Sequence, residues 1–390
     1  MRFFHLSDLH IGKQLHHYNL KEEQKHILEE IVVYAKDIHP DAIVIAGDIY
    51  DKSIPSAEAV TIFDDFLTKL AAITPEIPVL IISGNHDSAE RLQYAAGFLK
   101  KHQIYVAGNP PVTPGDYLQK TVLQDEHGSV NFYLLPFIKP SYVRNVSETA
   151  PESYTEAVEM LLQREEIDYN ERNVLVSHQF FTRGNEAPET CDSERISVGG
   201  IDNVDISVIS KFDYAALGHI HKSQKVGEEH IRYCGTMLKY SVSEAEHTKV
   251  LTMVEIGEKG TAPVITELSL HPLRDVKKKK GFLHEIMEQA SERDRLDYVS
   301  ITLTDEGELY RPKDQLEKYY EHILEIRIDN TRTRNQLLQD EETIEAESPF
   351  EAFENFFYEM QGRQMEEEEV LFMKHIFDEV KEGTGCGQSE

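Results

Sequence analysis

The sequence predicts an α/β fold with a chemical site along one edge of a sheet. Short apolar, β-branched runs alternate with segments of helical spacing, the pattern of strands joined by crossover helices. Five of these runs stop abruptly at polar clusters rich in Asp and His, which places functional side chains at the carboxyl ends of strands. The strongest case is Val79-Leu80-Ile81-Ile82, which runs into Ser83-Gly84-Asn85-His86-Asp87 and so presents an amide, an imidazole and a carboxylate after a glycine.

In chain order, residues 2–6 read as a strand ending in Asp8-Leu9-His10. Leu20 to Ile38 has helical spacing (Ile27, Ile31, Tyr34, Ala35, Ile38) and is stopped by Pro40. Ala42–Ala46 is a second buried strand, closed by Gly47-Asp48-Ile49-Tyr50-Asp51, and helices are expected at Ser56–Leu70 and, after the third strand, at Ser88–Lys100. Asn131–Pro136 is a strand and Ser153–Leu162 a helix; Asn173–Gln179 is a strand that delivers His178. Thr182–Gly200 reads as a surface loop, and Tyr214–Gly218 is a strand followed by His219-Ile220-His221. From Lys225 to Ile256 antiparallel strands are expected, with turns near Gly227 and Ala245.

Pro263 opens a different texture: strands Val264–Leu270 and Tyr298–Leu303 around a helix at Gly281–Ser291, then a helix from Tyr310. The expected organisation is a main domain over residues 1–260, a small α+β domain over 261–335, an acidic linker over 336–347 and a helical tail over 348–384. The tail opens with Ser348-Pro349-Phe350-Glu351, a cap followed by Pro at the first helical position. Phe353, Phe356, Phe357 and Met360 then recur at helical spacing, as do Val370, Met373, Ile376 and Phe377 further on.

Composition bounds the class. The 390 residues contain 40% apolar side chains, enough for sizeable cores. Cys191, Cys234 and Cys386 form no C-x-x-C pair and imply no disulfide framework. The opening residues do not resemble a signal peptide and no apolar run is long enough to span a bilayer, so a soluble cytoplasmic protein is expected, with no membrane partner. The net charge of −30, with 70 acidic against 40 basic residues, opposes a polyanionic substrate at long range. Residues 336–390 hold 16 of the acidic and only 3 of the basic ones, so part of this excess is local. A nucleic acid would have to be held by metal ions, a basic patch or a partner subunit.

Collected from the strand ends, Asp8, His10, Asp48, Asn85, His178, His219 and His221 form a set of N and O donors suited to Mn²⁺, Fe²⁺ or Zn²⁺, with no thiolate among them. In D-x-H and H-x-H the two side chains two residues apart point the same way, so each pair can aim at one ion. A two-metal site needs about this many groups with one carboxylate bridging.

These motifs (D-x-H, G-D-x-x-D, G-N-H-D, S-H-Q and G-H-I-H) resemble the calcineurin-like metallophosphoesterases. Phe4-His5-Leu6-Ser7-Asp8-Leu9-His10-Ile11-Gly12 and the run Tyr233-Cys234-Gly235-Thr236-Met237-Leu238-Lys239-Tyr240-Ser241-Val242-Ser243-Glu244 resemble one branch, the SbcD nuclease subunits. The resemblance implies a two-metal β-sandwich flanked by helices, with a small capping domain and a partner-binding tail. It implies that Asp8, His10 and His221 hold one ion and that Asn85, His178 and His219 hold the other. Asp48 would bridge the two ions, with Mn²⁺ the expected metal. His86 would then stabilise the transition state or protonate the leaving oxygen, with Asp51 or Asp87 orienting its ring. The implied activity is DNA phosphodiester hydrolysis, exonucleolytic on duplex ends and endonucleolytic on single strands and hairpins. The implied partners are DNA, a second copy of the chain through helices Ser56–Leu70 and Ser88–Lys100, and an SbcC-type ATPase that completes a heterotetramer.

The run Lys277-Lys278-Lys279-Lys280 is either a solvated turn or, beside such a site, a DNA contact. The apolar residues of the tail, Phe353, Phe356, Phe357, Met360, Met373, Ile376 and Phe377, suit docking on a partner helix after an acidic linker. No G-x-x-x-x-G-K-[ST] loop occurs, which leaves ATP to the partner. The rival reading is a phosphatase or cyclic-nucleotide phosphodiesterase on the same two-metal scaffold, which the acidic balance favours.

Overall fold

In the structure, a computed structural model, the described residues are 1–184, 186–194, 202–331, 350, 353–354, 357–358, 363–366, 368–374 and 376. They form two compact units. The larger holds residues 1–280, 284–301 and 311–326, and the smaller holds 281–283, 302–310 and the described residues from 327 onward.

Two six-stranded sheets form the framework of the larger unit. The first runs in the order Val264–Ser269, Val250–Glu255, Arg2–Leu6, Ala42–Ala46, Val79–Ile82, Ile104–Ala107, and the last four of these are mutually parallel. The second runs Gln224–Val226, Glu228–Tyr233, Tyr214–Gly218, Arg172–His178, Gly128–Leu135, Gln119–Asp125, again with its four central strands parallel. Parallel strands need crossovers, and these are largely helical, which is why apolar runs and helical spacing alternate along the chain.

Side chains alternate across each strand, and the burial follows that period. Phe3, Val44, Ala46, Leu80 and Ile82 of the first sheet join Phe132, Leu134, Val174, Val176 and Tyr214 of the second in one core. Their neighbours Phe4, Leu6, Ile43, Ile45, Val79 and Ile81 face the other way, onto helices Lys21–Ile38 and Ala57–Ala71. Leu135, Leu175, Ala215 and Leu217 pack with Ala157, Val158 and Leu161 of helix Tyr154–Arg164. Ser56 and Ser153 cap two of these helices, accepting from the amides of Ala59 and Glu156 at 3.1 Å.

Several expectations need correction. Val264–Ser269 does not open a small domain: it pairs along its whole length with Val250–Glu255 and forms an edge of the first sheet. A short connection between consecutive strands favours such a hairpin, and Pro263 stands just before the strand, where a missing amide costs no ladder bond. The helix expected over Ser88–Lys100 is broken into Ala89–Gln93 and Ala96–Leu99, because Ala95 adopts a left-handed φ of 62°. Glu228–Tyr233 forms the expected hairpin with Gln224–Val226 but also lies parallel to Tyr214–Gly218.

The lysine run is a strand, Val276–Gly281, within a three-stranded sheet with Tyr298–Leu303 and His322–Ile328. Lys277 pairs with Asp294 and Asp297 at 2.8 and 2.7 Å and Lys279 pairs with Asp294 at 3.2 Å, while the alternation puts Lys278 and Lys280 on the exposed face. The four lysines are therefore not one patch. Of the tail positions, Phe353, Phe357, Met373 and Ile376 lie in helix and are half-buried. Phe356, Met360 and Phe377, like the acidic linker, lie outside the described residues.

The inter-sheet core sets the spacing of the two sheets, and Phe132, fully buried with its ring edge-on to Phe3 at 5.5 Å, sits in it. Phe132→Ala is expected to lower stability by about 3–5 kcal/mol, read as a fall in the urea midpoint at unchanged slope.

Candidate metal centre

All the predicted donors come from the carboxyl ends of the parallel strands, and the two sheets bring those ends to a common edge. Asp8, His10, Asp48 and His219 have positive φ values of 52°, 43°, 51° and 107°, a conformation that non-glycine residues avoid. Strain of this kind persists where the surroundings over-determine it, and here it turns each side chain back into the site. Close approach is made possible by glycines. A Cβ on Gly84 would lie 2.1 Å from Asp48 Oδ1, and one on Gly218 would lie 2.0 Å from the Ala46 carbonyl and 2.7 Å from His178 Nδ1.

The side chains form overlapping groups, with Asp8 shared between one that includes His10 and His221 and one that includes Asp48 and His178. In the first, donor atoms of Asp8, His10 and His221 lie within 4.8 Å of one another, with His10 Nε2 and His221 Nε2 3.2 Å apart. Beside the second, Asn85 Oδ1 lies 3.1 Å from His178 Nε2 and 3.0 Å from His219 Nδ1. Asp48 Oδ2 stands between, 3.4 Å from His178 Nε2 and 3.8 Å from His10 Nε2. Asp8 accepts from the His219 amide at 3.0 Å and from the Ser7 hydroxyl, so its carboxylate ties the two sheets together.

The donor chemistry fits divalent cations. His178 donates Nδ1–H to the Ala46 carbonyl at 2.7 Å, which leaves the Nε2 lone pair for the site. His10 and His221 point nitrogens at each other, an arrangement that needs a proton or a cation between them. Asp8, His10, Asp48, His178, His219 and His221 are all buried, and buried charge of both signs is stable only when paired or bound to metal.

Burial opposes charge on His178, but the Asp48 and Asp8 carboxylates overcome it and lift the imidazole to about 9. Burial likewise opposes charge on His221, yet its contacts with Cys191 and Glu244 raise it to about 10. In His219 burial prevails and lowers it to about 3, and His10 too falls well below its usual value. For Asp48 burial is outweighed by His178, His10 and His86, which hold its carboxyl well below the usual range.

His86 lies beside this cluster, its amide donating to Asp48 Oδ1 at 2.8 Å and its Nε2 4.0 Å from Asp48 Oδ2. Its Nδ1 donates to the backbone carbonyl of Asp51 at 2.8 Å, so the main chain and not a carboxylate orients the ring. The Asp51 side chain pairs with Lys13 at 2.9 Å, although it remains within 4.8 Å of His10 and His86 donor atoms. Asp87 has a different role from the expected one. Its carboxylate accepts from the amides of Ile49, Tyr50 and Gly84 at 3.1, 3.0 and 2.9 Å, which clamps two strand-end loops together. Burial, with the charge of Asp48, pushes it up to about 7.

Sequence reasoning missed the groups behind His221. Ser193 Oγ lies 2.7 Å from its Nδ1, and Glu194 Oε1 accepts from its amide at 2.6 Å. Glu244, fully buried, accepts from Ser193 at 2.6 Å and pairs with Lys249 at 2.6 Å. A signal existed for Glu244, which ends the run from Tyr233 on which the branch resemblance rests; Ser193 and Glu194 lie in a stretch with loop composition and gave none.

Residues 1–223 match the calcineurin-like phosphoesterase family, and residues 269–361 match the family described as the type 5 capsule protein repressor C-terminal domain. The SbcD subunit of the SbcCD nuclease from Staphylococcus epidermidis is 30% identical over 396 residues, spanning 99% of this chain and 100% of that protein. This chain belongs to the SbcD nuclease family. As a member of it, it is a metal-dependent phosphodiester hydrolase built on the calcineurin-like fold. Among solved structures, a dimetal phosphatase from Danio rerio is 13% identical at a TM-score of 0.42, covering 69% of this chain and 96% of that one. The phosphopantetheinyl hydrolase of Mycobacterium tuberculosis is 15% identical at 0.33, covering 59% and 86%. Likenesses this distant add nothing to the SbcD assignment.

The raised imidazoles set a pH dependence. A ligand histidine must be neutral, whereas His178, lifted to about 9, and His221, lifted to about 10, hold a proton that a bound ion would displace. Metal uptake at pH 7 is therefore expected to release protons, and affinity to rise with pH up to those values. Titration calorimetry in two buffers of different ionisation enthalpy reads this directly; heats independent of buffer would contradict it.

Proposed function

We propose that this chain hydrolyses DNA phosphodiesters as the nuclease subunit of an SbcCD-type complex, cutting duplex ends exonucleolytically and single strands or hairpins endonucleolytically. The observation that carries the proposal is the convergence of seven N and O donors, with His86 beside them, its donor atom within 4.8 Å of those of His10 and Asp51. Asp8, His10 and His221 would hold one ion, Asn85, His178 and His219 the other, and Asp48 both. When bound, two ions, proposed to be Mn²⁺, supply an activated water and neutralise phosphate charge.

The chain's own residues supply positioning and a proton. The Nδ1–H bond to the Asp51 carbonyl fixes the His86 ring and sets Nε2 at the edge of the cluster, 4.0 Å from Asp48 Oδ2, where the protonated ring would be a donor. From there His86 can protonate a leaving oxygen or bond a phosphoryl oxygen as its charge grows. Asp87 holds the loops that carry Asp48 and Asn85 in mutual register through three amides.

The net charge of −30 makes unaided DNA capture weak. A partner of the SbcC type, named in the relative's complex, would supply DNA affinity and ATP hydrolysis. The tail residues Phe353, Phe357, Met373 and Ile376, with Phe356, Met360 and Phe377, are proposed to dock on it. Lys278 and Lys280, on the exposed face of the lysine strand, are the proposed DNA contacts there. We place the complex in the cytoplasm as a heterotetramer with two copies of this chain; among the described residues no helix is long and apolar enough to cross a membrane.

The same charge favours a second reading, a phosphatase or cyclic-nucleotide phosphodiesterase. End-labelled duplex and hairpin DNA, incubated with Mn²⁺ and the chain with or without its ATPase partner, separates the two. Cutting is expected in the presence of the partner, and His86→Ala is expected to lose about 10²–10⁴-fold in rate while retaining its metals. Hydrolysis of a small phosphodiester with no cutting of DNA by either preparation would sink the nuclease reading.

A further inference from the structure

We propose that Glu244, acting through Ser193, is the positioning residue that holds His221 as a metal ligand. The inference rests on the two-metal reading of the site and adds to it a pair of residues outside the donor set.

The direction of the hydrogen bonds follows from what each group can do. Lys249 Nζ lies 2.6 Å from Glu244 Oε2 and has only protons to offer, so Glu244 is a carboxylate and accepts everywhere. Its Oε1 takes bonds from the Tyr240 amide at 3.1 Å, the Ser241 hydroxyl at 3.0 Å and the Ser193 hydroxyl at 2.6 Å. Ser193 has one hydroxyl proton, and Glu244 receives it. The Ser193 oxygen can then only accept from His221 Nδ1, 2.7 Å away. The Cys191 thiol, 3.1 Å from the same hydroxyl, is a weak donor and leaves this order unchanged.

The consequence is a fixed ring. His221 must keep its proton on Nδ1, which commits Nε2 to the side where His10 and Asp8 stand. His178 gains the same result from the Ala46 carbonyl alone. His221 follows its strand by three residues and, among the described residues, has no such carbonyl at its Nδ1; it is instead secured at both backbone ends, its amide by Glu194 at 2.6 Å and its carbonyl by Lys249 at 2.9 Å. Glu244 and Lys249 form a buried ion pair beside Thr236 and Tyr240, and the cost of desolvating such a pair offsets much of its attraction. Partners behind a ligand histidine of this kind are worth about 10–100-fold in metal affinity.

Replacing Glu244 would strand the buried Lys249, so Ser193 is the residue to change. In the full chain, Ser193→Ala is expected to weaken one of two Mn²⁺ ions by about 10–100-fold in titration calorimetry and leave the other unchanged. Ser193→Thr, which keeps the hydroxyl, is expected to retain both. In ¹H–¹⁵N spectra of metal-free protein, a protected His221 Nδ1–H signal is expected in the unaltered and Thr chains and not in the Ala chain. That proton is present on neutral and charged imidazole alike, so the signal does not depend on metal. Unchanged affinities in Ser193→Ala, or equal weakening of both ions, would overturn the assignment. If the unaltered chain binds no Mn²⁺, the two-metal reading itself falls, and the assignment with it.

Discussion

The Asp48 carboxylate is the point on which the site depends. It stands on a left-handed backbone at the end of a central strand and is reached by His10, His86 and His178 from three other segments. It also accepts the His86 amide, and Gly84 presses against it with no room for a Cβ. One carboxylate thus fixes the Asn85–His86 turn relative to its own strand and, through His178, fixes the first sheet relative to the second. The packing of the two sheets is in this sense adjusted to the distance between Asp48 and His178. A shift of either sheet by a fraction of the 3.4 Å that separates them would disperse the cluster.

Much of this was legible in the sequence, for a physical reason. Parallel strands buried on both faces are written as uninterrupted β-branched runs, and such runs stop only where the chain must turn. Val79–Ile82 and Ala42–Ala46 announce themselves in that way, and the Asp and His residues that follow stand out because nothing apolar surrounds them. The seven donors and His86 therefore all appear where the strand pattern places them. The sandwich of two sheets was less legible, because no periodicity says which strands share a sheet.

What the sequence concealed were features fixed by contacts distant along the chain. Val264–Ser269 looked like the start of something new because Pro263 precedes it, yet its partner is the strand just before. Asp87 looked like a companion to His86 because it is adjacent, whereas its carboxylate serves amides of a loop 38 residues away. Ser193 and Glu194 are ordinary loop residues by composition, and only the fold sets them against His221. In the lysine strand, charge density suggested a patch, but the strand's two-residue period sends alternate lysines to opposite faces and Asp294 engages those of one face.

The donors reach from residue 8 to residue 221, and in the proposed division no single segment supplies one ion's set: Asp8 and His10 would wait for His221, and Asn85 for His178 and His219. During synthesis the first half of the chain emerges with Asp8, His10, Asp48 and Asn85 in place and no complete coordination shell. Contacts so distant in sequence are slow to form, because a long loop must be closed first. On that division, a chain that has not yet added His178, His219 and His221 would lack ligands for both ions. The complete donor set would then exist only once both sheets have been made and joined.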